Sequence, residues 1–128
     1  MDRFNRRKLE ELIADEGHPR VSLYLPTYRT GRDVRQNSIR LKNLLTEAAA
    51  RLGARGLSEV EAATLLAPAA ELLERTGFAE QQLEGLAVLV GGGRLHEFRC
   101  PRQFDELCYV DDHFHLKPLL PLLSSGET

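Results

Sequence analysis

The densest chemistry in the sequence is Asp111-Asp112-His113-Phe114-His115, where carboxylates and imidazoles crowd into one short stretch. Side chains of these two kinds suit an acid/base pair or part of a metal site. If the stretch is extended, His113 and His115 fall on one face, because alternate residues of a strand point the same way. A single short cluster supplies too few ligands for a closed metal site, so neither a metal nor a cofactor is expected. The plainer reading has Asp111 or Asp112 capping a turn or helix and both histidines half-buried. Asp111, Asp112, His113 and His115 therefore stand as a secondary candidate site.

Nucleophile and phosphate motifs are missing. The sequence contains no Gly-x-Ser-x-Gly, no Gly-x-x-x-x-Gly-Lys and no His-Glu-x-x-His. Gly91-Gly92-Gly93 resembles a phosphate loop, but strand-like segments flank it on both sides, which favours a turn. Cys100 and Cys108 are the only cysteines, and they have neither CxxC spacing nor a cationic helix start beside them. They read as reduced, unactivated thiols. No catalytic residue is expected, and the chain does not read as an enzyme in its own right.

Charge gives the other signal. From Arg20 to Lys42 the residues Arg20, Arg29, Arg32, Arg35, Arg40 and Lys42 face one acid, Asp33, for a local sum of about +5. From Gly56 to Leu86 the acids Glu59, Glu61, Glu71, Glu74, Glu80 and Glu84 face only Arg75, for about −5. The overall charge of −2 thus hides a polarised molecule. Arginines in a glycine-containing loop that leads into a helix suit phosphate oxygens, through bidentate hydrogen bonds and the helix dipole. Arg29, Arg32, Arg35, Arg40 and Lys42 are the candidate RNA-binding residues. The competing reading has these arginines pairing with the acidic third helix and only solvating the surface.

The elements that must position these groups can be read from periodicity. At 128 residues with 42% hydrophobic and 28% charged residues, the chain fits one domain with a real core. Leu9, Leu12 and Ile13 recur at helical spacing from Asn5 to Glu16, with Gly17 and Pro19 as the stop. Arg20 to Leu25 alternates as a strand with Val21, Leu23 and Leu25 inward, and Pro26 to Gln36 reads as a loop. Asn37 or Ser38 caps a second helix with an apolar stripe of Leu41, Leu44, Leu45, Ala48 and Leu52, ending near Gly53 or Gly56. Ser58-Glu59-Val60-Glu61 is a capping box that opens a third helix, kinked at Pro68 and stopped near Gly77. Leu86–Val90 and Arg94–Arg99 form strands joined by the glycine turn, and Glu106–Val110 forms another. Pro118 to Leu123 reads as a short helix begun by Asp111, Asp112 or Lys117. The order is α-β-α-α-β-β-β-α, an α/β (α+β) fold with a small mixed sheet of about four strands and two long helices packed on it. Residues 1–123 form the domain, and 124–128 read as the start of a linker to a following domain.

The basic N-terminus runs into a charged amphipathic stretch, so a secretory signal is not expected. No apolar run approaches the ~20 residues that span a bilayer. A cytoplasmic protein without membrane contact is expected.

Three segments occur together: Val21-Ser22-Leu23-Tyr24-Leu25-Pro26-Thr27, then Ser38-Ile39-Arg40-Leu41-Lys42-Asn43-Leu44-Leu45, then Asp111-Asp112-His113-Phe114-His115-Leu116-Lys117-Pro118-Leu119-Leu120-Pro121-Leu122-Leu123. With them the chain resembles the N-terminal domain of the bacterial branch of the archaeo-eukaryotic peptide chain release factors. The resemblance implies that domain's fold, with two long helices inserted between the first two strands. The eukaryotic relatives read stop codons with Asn-Ile-Lys-Ser between the long helices and Tyr-x-Cys-x-x-x-Phe at the last strand. Here the interhelical loop is Gly53-Ala54-Arg55-Gly56-Leu57-Ser58, and of Cys108, Val110 and Phe114 only the phenylalanine corresponds. The family's Gly-Gly-Gln, which promotes peptidyl-tRNA hydrolysis, belongs to the following domain. The resemblance thus implies a ribosome- or RNA-binding module of a translation or ribosome-rescue protein, without stop-codon decoding motifs. Its partners would be the ribosome, tRNA or rRNA and the following domains of the full-length protein. The alternative is a protein-interaction or scaffold domain that docks on those domains or self-associates as a homodimer.

Overall fold

A computed structural model describes residues 4–123, apart from the side chains of Glu16, His18 and Arg32. The linker assigned to 124–128 lies outside the described residues. Asn5 caps helix α1, Arg6–Ala14, by accepting the Lys8 N–H at 2.8 Å. The helix stops before Gly17 and Pro19, which do not end it but enter the first strand. That strand, β1, runs from Glu16 to Pro26. Its pairing register shifts between Glu16 and Arg20. Proline has no N–H for a ladder, so in an inner strand it is tolerated at such an irregularity.

Helix α2, Arg35–Ala54, begins earlier than the Asn37 or Ser38 cap would place it, directly after a 3-10 turn over Arg32–Val34. Helix α3, Glu59–Ala70, starts with the expected capping box: Ser58 Oγ accepts from Glu61 N–H, and Glu61 accepts from Ser58 N–H. Pro68 lies inside α3, and the chain tightens to 3-10 geometry over Glu71–Glu74 soon after it. Strands β2, Gly85–Gly91, and β3, Arg94–Cys100, are joined by Gly92 and Gly93 at φ of 61° and 78°. Both angles are left-handed, which makes the triple glycine a hairpin turn rather than a phosphate loop. Strand β4 spans Leu107–His113, so Asp111, Asp112 and His113 belong to a strand and not to a helix cap. The tail Lys117–Leu122 is a 3-10 helix opened by Leu116 without a side-chain cap.

The four strands lie in the order β3-β2-β1-β4. Every neighbouring pair is antiparallel, so the sheet is not mixed. Val21, Leu23 and Leu25 face α2 and α3 with Leu86, Val88 and Val90, as the alternation required. The opposite face is buried as well. Tyr24, Ala87, Leu89 and Phe98 pack there under Leu12 of α1 and Leu119 of the tail. Burial on both faces explains why Ser22 and Tyr24 are fully inaccessible although they occupy the polar phase of the alternation. Cys100 and Cys108 are free and buried, on the two outer strands with β2 and β1 between them. At ~4.8 Å per strand spacing they are too far apart for a disulfide.

Candidate functional site

The basic segment is built around a clamp. Asn37, fully buried in α2, accepts Tyr28 N–H at 2.8 Å through Oδ1 and donates through Nδ2 to the carbonyls of Tyr28 and Ala79 at 2.9 and 2.8 Å. The residue read as a helix cap thus fastens the arginine loop to the segment before β2. Thr27 Oγ1 adds a bond to Leu83 O at 2.7 Å.

The predicted cations divide into two groups. Arg29 pairs with Glu84 at 3.1 Å, both about half exposed. Arg40 is more firmly held: it donates to Pro26 O at 3.2 Å, lies 3.4 Å from Glu106 and stands 5.3 Å above the Tyr28 ring. Glu84 belongs to the acidic segment but lies beyond α3, and Glu106 lies outside that segment, so neither of these two pairs is made with α3. Arg35 and Lys42 are exposed, and with Ile39, 49% exposed, they follow i, i+4, i+7 spacing on one outer stripe of α2. The side chain of Arg32 lies outside the described residues, although its backbone starts the turn that leads into this helix.

The Asp111–His115 cluster is dispersed by its local structure. Asp112 accepts from Arg55 of the interhelical loop at 2.9 Å, and Asp111 Oδ1 accepts the Asp112 N–H at 2.7 Å. His113 is exposed, whereas His115 stacks on Tyr109 with ring centroids 3.7 Å apart. The backbone of His115 is pinned to β1: its N–H donates to Ser22 Oγ at 2.9 Å, and its carbonyl accepts from Tyr24 Oη at 2.5 Å. Burial lowers the His115 pKa below its ordinary value, Lys117 and His113 lower it further, and Asp111 opposes them. No group of three or more His, Cys, Asp or Glu that could hold a metal occurs among the described residues. Burial pushes the thiols up to about 12 for Cys100 and about 11 for Cys108, which keeps them protonated and unreactive near neutral pH.

A polar cleft at the other end of β1 was not singled out by the sequence. Arg20 donates to Asp15 Oδ1 from Nε at 3.0 Å and from Nη2 at 2.9 Å, and both side chains are only 11% exposed. The guanidinium fits because glycine surrounds it. A Cβ on Gly91 would stand 2.7 Å from Arg20 Cδ, and one on Gly17 or Gly92 would stand 3.0 Å from Nη2. Asp15 Oδ2 is buried without a hydrogen-bond partner among the described residues and lies 4.0 Å from His96 Nε2. Arg20 was counted only as part of the basic segment. The three positions 15, 20 and 96 share no local motif, and the one trace in the sequence is glycine at 17, 91 and 92.

No helix among the described residues is long and apolar enough to cross a membrane. No protein-family model matches the chain, and no curated protein matches it.

Proposed function

We propose that this chain is a ribosome- or RNA-binding module of a release-factor-like translation or ribosome-rescue protein, binding phosphates through the outer face of α2 and the loop before it. The observation that carries this reading is the stripe of Arg35 and Lys42, both exposed and neither in an ion pair among the described residues. Arg29 extends the stripe, since an exposed pair with Glu84 is worth little and exchanges readily for a phosphate. Arg40 has a different task. Its bonds to Pro26, Glu106 and Tyr28 hold the loop against α2 and leave it less available to RNA. The element order, with two long helices between the first and second strands, supports the resemblance to the release-factor N-terminal domain. On this reading the chain performs no catalysis itself, and peptidyl-tRNA hydrolysis would belong to a following domain.

The test is binding to ribosomes and to structured RNA at several salt concentrations. Affinity should fall steeply with salt, because each neutralised phosphate releases counterions. Arg35→Glu with Lys42→Glu should weaken binding at least tenfold and flatten the salt dependence. Unchanged binding by that double variant would remove the assignment.

A further inference from the structure

Tyr28 lies in the loop between β1 and α2, next to Arg29, and is the only phenylalanine or tyrosine exposed among the described residues, at 36%. The other such rings are buried or half-buried. A single exposed ring is unremarkable by itself. Two observations make this one informative.

The first is how the loop is held. Asn37 receives the Tyr28 N–H and donates to the Tyr28 carbonyl, so the clamp uses the backbone of residue 28 and not its ring. Nothing in those two bonds requires an aromatic side chain. They do fix the backbone from which the ring projects, and a group ordered before contact loses less entropy on binding. The second observation is Arg40. Its guanidinium carbon stands over the ring, 5.3 Å from the centroid, and the side chain is itself held by Pro26 O and Glu106. The ring is thus backed by a fixed cation while more than a third of the side chain stays open to solvent. Arginine against an aromatic platform adds cation–π attraction to base stacking.

The neighbours select the chemistry. Arg29 is adjacent in the chain, and Arg35 and Lys42 are exposed on the helix that supplies Arg40 and Asn37. Cations that follow a phosphate backbone beside an open aromatic ring are the two components of a surface for unpaired nucleic acid. A duplex offers phosphates to the cations but keeps its bases stacked on one another, which leaves the ring without a partner. Resting on the RNA-binding reading, we propose that the partner of this surface is an unpaired stretch of RNA, one base of which stacks on the Tyr28 ring while Arg29, Arg35 and Lys42 meet its phosphates. Every base has a face to stack, so base identity matters little at this position.

The experiment measures binding of a short unpaired RNA strand, and of the same strand annealed to its complement, at several salt concentrations. Tyr28→Leu should weaken binding of the single strand about tenfold and leave duplex binding unchanged. The slope of affinity against salt should stay the same, since stacking releases no counterions. Tyr28→Phe should bind as wild type does. The chain has no tryptophan, so the indole of the Tyr28→Trp variant reports on this position alone, and the single strand should quench its fluorescence. The proposal is overturned if Tyr28→Leu binds the single strand as tightly as wild type, if it loses strand and duplex equally, or if the single strand leaves the Tyr28→Trp emission unchanged. Those outcomes, with Arg35→Glu and Lys42→Glu still weakening both RNAs, would remove the stacking and leave the phosphate contacts standing. A wild-type chain that binds neither RNA overturns both.

Discussion

Tyr24 in the middle of the sheet and His115 beyond its last strand are joined by a hydrogen bond from the phenol to the His115 carbonyl, while Ser22, two residues before Tyr24, receives the His115 N–H. Two side chains of one inner strand thereby supply both backbone partners of a residue that has left the sheet. Tyr24→Phe keeps the buried ring and its edge contact with Phe104 but leaves the carbonyl unpaired. It should cost about 1–3 kcal/mol in urea unfolding.

His115 makes stability depend on pH. Its folded pKa lies below the ordinary 6.5, from burial first and then from Lys117 and His113, with Asp111 opposing. The unfolded chain therefore binds the proton more readily than the folded one. The contribution is complete above 6.5 and is lost as pH falls through that value toward the folded pKa. Urea midpoints of wild type and His115→Phe should converge or cross as pH is lowered from neutral to mildly acidic. Parallel pH profiles for the two proteins would contradict the assignment.

Asn37 should matter more than any surface arginine to the order of the basic loop. Asn37→Ala frees the N–H and carbonyl of Tyr28 and the carbonyl of Ala79 together. A loss on the order of 3 kcal/mol is expected, with faster amide exchange at Tyr28. Because the loop carries Arg29, RNA affinity should fall in the same variant without any change of charge.

Gly91→Ala tests the space around Arg20. The added methyl carbon would stand 2.7 Å from Arg20 Cδ and 3.0 Å from Pro19 O, and the second of these is backbone and cannot swing aside. Destabilisation of about 1–3 kcal/mol is expected, as for overpacking elsewhere. Loss of the Asp15–Arg20 bond should appear as a shift of the Arg20 Nε–H resonance.

Both thiols should resist alkylation in the folded protein at mildly alkaline pH and react on unfolding. Burial alone raises Cys100 to about 12 and is the main cause raising Cys108 to about 11. Rapid labelling of either under native conditions would show that its strand opens locally.

What the sequence made legible was whatever acts over short range. The apolar stripe of α2, the Ser58–Glu61 box and the glycine hairpin each depend on neighbours a few positions apart, and each is present. Asn37 misled because an amide before a helix and an amide clamping a distant loop look alike until the partner, Ala79, is in place. Asp111 and Asp112 misled for a similar reason, since their strand is extended by pairing to Glu16 and Arg20 of β1. The Asp15–Arg20–His96 cleft was invisible because it is assembled across α1, β1 and β3. The outward stripe of Arg35 and Lys42 was only half legible. Composition marked the charge, but which cations remain exposed is decided by the positions of Glu84 and Glu106.

The placement of Asp111, Asp112 and His113 on β4 gives these residues a consequence unrelated to catalysis. β4 is one rim of the sheet, and a rim strand is where an extended chain could pair. Two adjacent carboxylates and an exposed imidazole surround that rim with charge and water. Charge on a sheet rim disfavours edge-to-edge stacking of copies, and the Arg55 guanidinium, which donates to the Val110 carbonyl at 3.3 Å, occupies part of this one.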